Sequence, residues 1–106
     1  MDADWIPVAK ENELTPGQMK RVQAGGKRLL VCNADGELYV IDEMCSHEDY
    51  SLFLGCIQGG RIKCSLHGSY FDLKTGNPET DPADEPICSY PTKIEGGRLW
   101  VNTGNT

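Results

Sequence analysis

The sequence predicts an all-β protein, an antiparallel β-sandwich formed by one domain. Short segments rich in β-branched and aromatic residues alternate with turn-forming residues along the whole chain. The 12 glycines and 6 prolines suit a turn-rich β-protein better than a helical bundle. A chain of 106 residues is too short for two domains with independent cores. We therefore expect a single domain over residues 1–106.

The first half of the chain contains four predicted strands. Their ranges are 5–9, 19–23, 28–32 and 37–41. Asn33-Ala34-Asp35-Gly36, between the last two, is typical of a tight hairpin. The segment after the first strand predicts at most one helical turn, because Thr15-Pro16-Gly17 would end any helix there.

The second half of the chain predicts further strands at 62–64, 70–73, 87–94 and 98–101, the last two joined by Glu95-Gly96-Gly97. Residues 77–85 carry two prolines and four carboxylates without a basic residue, and so predict an exposed loop. We interpret residues 42–85 as a small subdomain of loops inserted in a basal β domain. Apolar surroundings predict that Cys32 and Cys88 are buried in strands and that Trp5 and Trp100 belong to the core.

Charge and hydropathy exclude several classes of partner. The net charge is −6 and no lysine or arginine run forms a stripe, so a nucleic acid or an anionic membrane is not expected as a partner. No stretch approaches the roughly 18 apolar residues of a membrane span, and the first residues do not resemble a signal peptide. We expect a cytoplasmic protein. In a reducing compartment, the five cysteines and their spacing indicate metal binding or chance occurrence rather than disulfides.

Both histidines of the chain follow a cysteine at short range. The pattern is Cys45-x-His47, sixteen residues, then Cys64-x-x-His67, so that two tight loops each offer one thiolate and one imidazole to a metal centre. Zinc accepts this set, although zinc fingers usually place both cysteines on one element and both histidines on another. Blue copper requires two histidines and one cysteine. A [2Fe-2S] cluster with both cysteines on one iron and both histidines on the other fits the alternating order.

The pattern resembles that of the Rieske proteins at all four ligand positions, and Gly68-Ser69 matches the Gly-Ser that follows the second histidine in that family. The resemblance implies a Rieske-type antiparallel β-sandwich with a cluster-binding subdomain made of two loops. It also implies one Rieske-type [2Fe-2S] cluster per chain. Cys45 and Cys64 would hold the buried iron, and His47 and His67 would hold the exposed iron from which the electron leaves.

Residues beside the ligands imply a reduction potential in the lower part of the family range. Tyr50 and Leu66 occupy the positions where respiratory members carry a disulfide, so no such disulfide is expected. Phe71 stands where high-potential members have a tyrosine, and Glu48 with the following aspartate adds negative charge. Ser69 would raise the potential modestly by donating a hydrogen bond.

The resemblance further implies an electron carrier rather than an enzyme, because no nucleophile, acid–base pair or open metal position is recognisable. Its partners would be a flavin-dependent, NAD(P)H-oxidising ferredoxin reductase and the terminal Rieske oxygenase of a ring-hydroxylating dioxygenase system, met by a monomeric ferredoxin. The carboxylates Glu79, Asp81, Asp84 and Glu85 suggest a docking patch for a basic partner. Three alternatives stay open: the small Rieske-like subunit of assimilatory nitrite reductase, a structural zinc-binding module and an iron-sulfur redox sensor.

Overall fold

A computed structural model of the chain describes residues 5–44, 51–64, 70–79 and 86–103. Within these ranges it contains ten strands, all paired antiparallel, and one short 3₁₀ helix at Leu52–Leu54. The predicted all-β class is therefore confirmed. The strands are β1 Trp5–Lys10, β2 Met19–Ala24, β3 Lys27–Ala34, β4 Glu37–Asp42, β5 Cys56–Gln58, β6 Arg61–Lys63, β7 Tyr70–Asp72, β8 Ser89–Tyr90, β9 Thr92–Glu95 and β10 Arg98–Asn102.

The strands form three antiparallel sheets. A three-stranded sheet has the order β1-β10-β9, and a four-stranded sheet has the order β2-β3-β4-β8. A second three-stranded sheet, β5-β6-β7, comes from the part of the chain between β4 and β8. Strands β6 and β7 of this sheet match the strands predicted at 62–64 and 70–73, whereas the three-residue strand β5 was not predicted.

Strand β3 separates two hydrophobic cores, because successive side chains of a strand point to opposite faces. Leu30 and Cys32 belong to the core shared with the β5-β6-β7 sheet, which we call the site core. Leu29 and Val31 belong to the core shared with β1 and β10, which we call the basal core. All four side chains are fully buried. The four-stranded sheet is therefore the middle layer of the molecule.

Two-residue turns connect four of the hairpins. At the predicted turn, Asp35 and Gly36 both have positive φ, 54° and 94°, which matches the type I′ geometry favoured by the twist of the flanking strands. The predicted turn at Gly96-Gly97 has the same geometry. The turns at Gly25-Gly26 and Gly59-Gly60 were not predicted, although both are glycine pairs of the kind that favours this connection.

Three predictions near the C-terminus and the chain ends were wrong. Residues 87–94 are not one strand: β8 pairs with β4 and β9 pairs with β10, so the chain passes from one sheet to another at Pro91. Cys88 precedes β8 and is exposed rather than buried. Trp5 and Trp100 are only half-buried and lie outside both cores. They occupy the outer face of the β1-β10-β9 sheet, whereas the residues next to them in the strands point to the opposite face and fill the basal core.

Candidate metal centre

The first predicted ligand loop is closed at its base. Met44 and Ser51 form an isolated antiparallel bridge, and the Leu52 backbone N–H donates to the Glu43 carbonyl oxygen at 2.7 Å. These contacts bring together the residues that precede and follow positions 45–50. Cys45 and His47 belong to this segment and lie outside the described residues.

A buried carboxylate reinforces the same base. The Glu43 side chain is 6% exposed and its Oε2 accepts a hydrogen bond from Ser51 Oγ at 2.7 Å. Its Oε1 accepts from Arg28 Nε at 3.4 Å. Ser51 Oγ in turn accepts from the Phe53 backbone N–H at 3.2 Å, which caps the 3₁₀ helix that follows the loop.

The second predicted ligand loop connects β6 to β7. Lys63 and Tyr70 are cross-strand partners and form its base. Cys64 directly follows β6, and it is 1% exposed and packed in the site core. Ile62 and Phe71, which pair across the hairpin, are both fully buried in the same core. His67 lies outside the described residues.

The two loop bases lie against each other. Gly55 ends the 3₁₀ helix after the first loop, and its N–H donates to the Leu52 carbonyl oxygen at 2.9 Å. A Cβ at Gly55 would overlap the carbonyl oxygen of Lys63 and lie 2.9 Å from its carbonyl carbon. Only glycine permits this approach. The exit of the first loop therefore packs on the residue immediately before Cys64.

These observations fit a cluster bound between two loops. Cys64 presents a thiol shielded from water at the point where both loop bases meet, as expected of a ligand to a buried iron. Among the residues described, no three His, Cys, Asp or Glu side chains are grouped to hold a metal. Three of the four predicted ligands are outside those ranges, so the ligand set stays a prediction.

Comparison with known proteins decides the family. Residues 4–91 match the model of the Rieske [2Fe-2S] domain. The chain belongs to the Rieske family. The cofactor of this Rieske domain is accordingly a Rieske-type [2Fe-2S] cluster, as the sequence pattern predicted. The zinc-binding alternative is not favoured, because the matching family is defined by an iron-sulfur domain.

The relatives of this Rieske domain include the ferredoxin components of dioxygenase systems. It is 33% identical to the ferredoxin component of biphenyl 2,3-dioxygenase from Rhodococcus jostii strain RHA1, over 90% of this chain and 89% of the relative. The solved ferredoxin of Sphingomonas yanoikuyae B1 is similar with a TM-score of 0.86 and 31% identity, covering 92% of this chain and 97% of that one. A chain in the complex of reduced oxygenase and oxidised ferredoxin in carbazole 1,9a-dioxygenase gives a TM-score of 0.87 at 28% identity, with 93% of each chain covered.

The structure also reveals site residues that the sequence did not indicate. Glu43, Ser51 and Gly55 organise the loop bases, yet in the sequence they resemble an ordinary charge, an ordinary hydroxyl and an ordinary turn glycine. The only local signal is that Glu43 and Ser51 bracket a ligand motif. The predicted tuning residues Glu48, Asp49 and Ser69, together with Tyr50 and Leu66 at the positions without a disulfide, are outside the described residues.

The surroundings of the second loop are described in part. Phe71 is fully buried and forms an antiparallel bridge with Pro78. In the predicted acidic loop, Glu79 is exposed and its Oε1 pairs with Arg61 Nη1 at 3.2 Å. Asp81, Asp84 and Glu85 are outside the described residues.

In the described part of the chain, no helix has the length and apolarity needed to cross a bilayer.

Proposed function

We propose that this chain is the ferredoxin component of a bacterial ring-hydroxylating dioxygenase system. It accepts one electron from a flavin-dependent, NAD(P)H-oxidising reductase and delivers it to the Rieske centre of a terminal oxygenase. The observation that carries this proposal is coverage: the chain aligns over about nine-tenths of its own length and of the length of free-standing dioxygenase ferredoxins. It is therefore an electron carrier and not the catalytic oxygenase.

The setting of this carrier is part of the same proposal. We place it in the cytoplasm as a monomer, and the four described cysteines, Cys32, Cys56, Cys64 and Cys88, form no disulfide, as in most cytoplasmic proteins. The nitrite reductase subunit is not favoured, because the relatives named above are dioxygenase ferredoxins.

We further propose that Cys45, His47, Cys64 and His67 are the four ligands and that residues 42–85 form the cluster-binding subdomain. The bound cluster supplies a one-electron redox centre whose potential is raised by the two neutral imidazoles. The protein holds Cys64 away from water in the site core. It also closes both loop bases by backbone pairing, which limits how far the ligands separate when the charge of the centre changes.

The acidic loop contributes less charge to docking than the sequence suggests. Glu79 is already paired with Arg61, whose guanidinium also stacks over the Tyr70 ring at 5.0 Å. A docking patch for a basic partner therefore depends on Asp81, Asp84 and Glu85. Neutralising these three should slow electron transfer at low salt and flatten its salt dependence, whereas Glu79→Gln should change either property less.

Reconstitution tests the function directly. Purified protein is combined with a candidate reductase and a candidate oxygenase, and NAD(P)H-dependent hydroxylation of an aromatic substrate is measured. Hydroxylation that requires this protein supports the proposal. If the reduced protein fails to transfer its electron to any dioxygenase oxygenase while a known ferredoxin succeeds in the same assay, the proposal is wrong.

Ligand variants test the site separately. His47→Ala and His67→Ala should each abolish the electron paramagnetic resonance signal of the reduced mixed-ligand centre. Cys56→Ser and Cys88→Ser are matched controls that alter exposed thiols and should leave that signal unchanged. A histidine variant with the parent signal would remove that residue from the ligand set.

A further inference from the structure

Glu43 is the only buried carboxylate among the described residues, and its side chain bonds both to strand β3 and to the residue that follows the first ligand loop. Ser51 Oγ donates to Oε2 at 2.7 Å from the far end of the loop. Arg28 Nε donates to Oε1 at 3.4 Å from strand β3. A buried carboxylate is costly unless it is paired and hydrogen-bonded, so its retention at this point requires these partners.

The backbone of Glu43 is fixed in the same two directions. Its N–H donates to the Arg28 carbonyl oxygen at 3.2 Å, and its carbonyl oxygen accepts from the Leu52 N–H at 2.7 Å. Glu43 thus joins the start of the inner strand β3 to Ser51 and Leu52, which follow the first ligand loop. Arg28 also contacts the next residue, with Nη2 donating weakly to Met44 Sδ at 3.7 Å.

We propose that Glu43 is a positioning residue for the [2Fe-2S] cluster, acting through Ser51 to hold together the residues that flank the first ligand loop. This inference rests on the proposed ligand roles of Cys45 and His47. Without the Ser51–Glu43 bond, the flanking residues are joined only by their backbone pairing and separate more readily. Iron is then released more readily, and the ligand geometry that sets the spectrum and potential becomes less uniform.

The test uses the full chain with its cluster and four variants at the two positions. Ser51→Ala removes the donor, and Ser51→Thr keeps a hydroxyl at the same place. Glu43→Gln keeps an acceptor without the charge, and the Glu43→Gln/Ser51→Ala double variant measures the coupling between the two side chains. Ser89→Ala is the matched control, because Ser89 Oγ donates one part-buried hydrogen bond, to the Leu73 carbonyl oxygen at 2.8 Å, and touches neither end of residues 45–50.

Cluster loss is followed as bleaching of the visible absorption by an iron chelator. Because a hydrogen bond to a carboxylate is involved, Ser51→Ala should bleach about tenfold faster than the parent, and Ser51→Thr should restore most of the difference. The Glu43→Gln/Ser51→Ala double variant should bleach no faster than the faster of the two single variants. The electron paramagnetic resonance g-values and the midpoint potential should change in Ser51→Ala and stay unchanged in Ser89→Ala.

The outcomes separate this inference from the proposed function and from a general effect on folding. A parent protein without iron and acid-labile sulfide contradicts the proposed function itself. A parent with its cluster, whose Ser51→Ala and Glu43→Gln variants bleach at the parent rate, contradicts only the role of Glu43. Equal acceleration in Ser51→Ala and Ser89→Ala, with unchanged g-values, would also overturn that role, because the bond would then stabilise the fold and not the centre.

Discussion

The five cysteines should react with a thiol reagent in three separate stages. Cys56 and Cys88 are exposed, and we expect them to react first. Cys45 and Cys64, bound to iron in the proposed site, should react only after a chelator removes the iron, and Cys64 should react more slowly because it is 1% exposed. Cys32 is fully buried and should react only when the protein unfolds. The predicted count is therefore two, then four, then five thiols.

The delay at Cys32 can be worked out from its surroundings. Burial raises the pKa of its thiol from 9.0 to about 12, because the thiolate would be desolvated in the site core. At pH 8 this lowers the thiolate fraction on the order of a thousandfold. The higher intrinsic nucleophilicity of such a thiolate offsets part of this, leaving about 50-fold slower reaction before steric protection is counted.

The assay is alkylation followed by peptide mass spectrometry, with iron content measured on the same samples. A Cys56→Ser/Cys88→Ser variant is the control and should show no modified cysteine until chelator is added. Modification of Cys32 together with the first pair would refute its burial. Modification of Cys45 and Cys64 at the same rate with and without iron would refute their role as ligands.

Three further perturbations follow from the fold. Gly55→Ala should destabilise the protein by about 1–3 kcal/mol and speed cluster loss, because the new Cβ overlaps the Lys63 carbonyl oxygen. Gly96→Ala is the control: the space around this glycine is open, so the substitution should cost only the positive-φ strain of about 1 kcal/mol and leave cluster loss unchanged. A denaturant titration with equal midpoints for Gly55→Ala and the parent would contradict this. Above pH 9 the unfolded Cys32 thiol ionises while the folded one stays protonated, so stability falls with rising pH by up to about 1.4 kcal/mol per unit until the folded pKa is reached. Denaturation at pH 8 to 10.5 should therefore show a steeper loss for the parent than for Cys32→Ala, and parallel curves would contradict the linkage. Tyr90→Phe removes the 2.6 Å bond from Tyr90 Oη to Asp42 Oδ1 and should cost about 1–2 kcal/mol in the same titration, and no loss would show that this bond does not hold β8 to β4.

Much of the fold could be predicted because its signals are local. The Asp35-Gly36 and Gly96-Gly97 turns require positive φ, and the strands beside them alternate or are uniformly apolar. The division of residues 87–94 between two sheets could not be predicted, because it depends on which sheet each half meets. Pro91 was the available signal, since proline lacks the N–H of a regular ladder. The exposure of Cys88 follows from the same non-local division.

The chemistry of the site could be predicted from the sequence, but the residues that hold its loops in place could not. Cysteine and histidine at short spacing identify a metal centre because few other arrangements require those side chains together. The family match confirms the cluster, while the ligand residues themselves stay a prediction. The roles of Glu43 and Gly55 depend on contacts with Ser51 and Lys63, eight residues away in each case. Such contacts carry no periodicity and no characteristic spacing, so the only sign of them in the sequence is that Glu43 and Ser51 lie on either side of a ligand motif.

The position of β3 between two cores sets a limit on how this protein can be divided. Leu30 and Cys32 line the metal-bearing side, while Leu29 and Val31 line the other, on one continuous strand. Excising residues 42–85 as a minimal iron-binding peptide would remove the β3 and β4 side chains of the site core and expose the hydrophobic face of β5-β6-β7. A transplant into another scaffold would have to include β3 and β4 as well, or rebuild their apolar surface there.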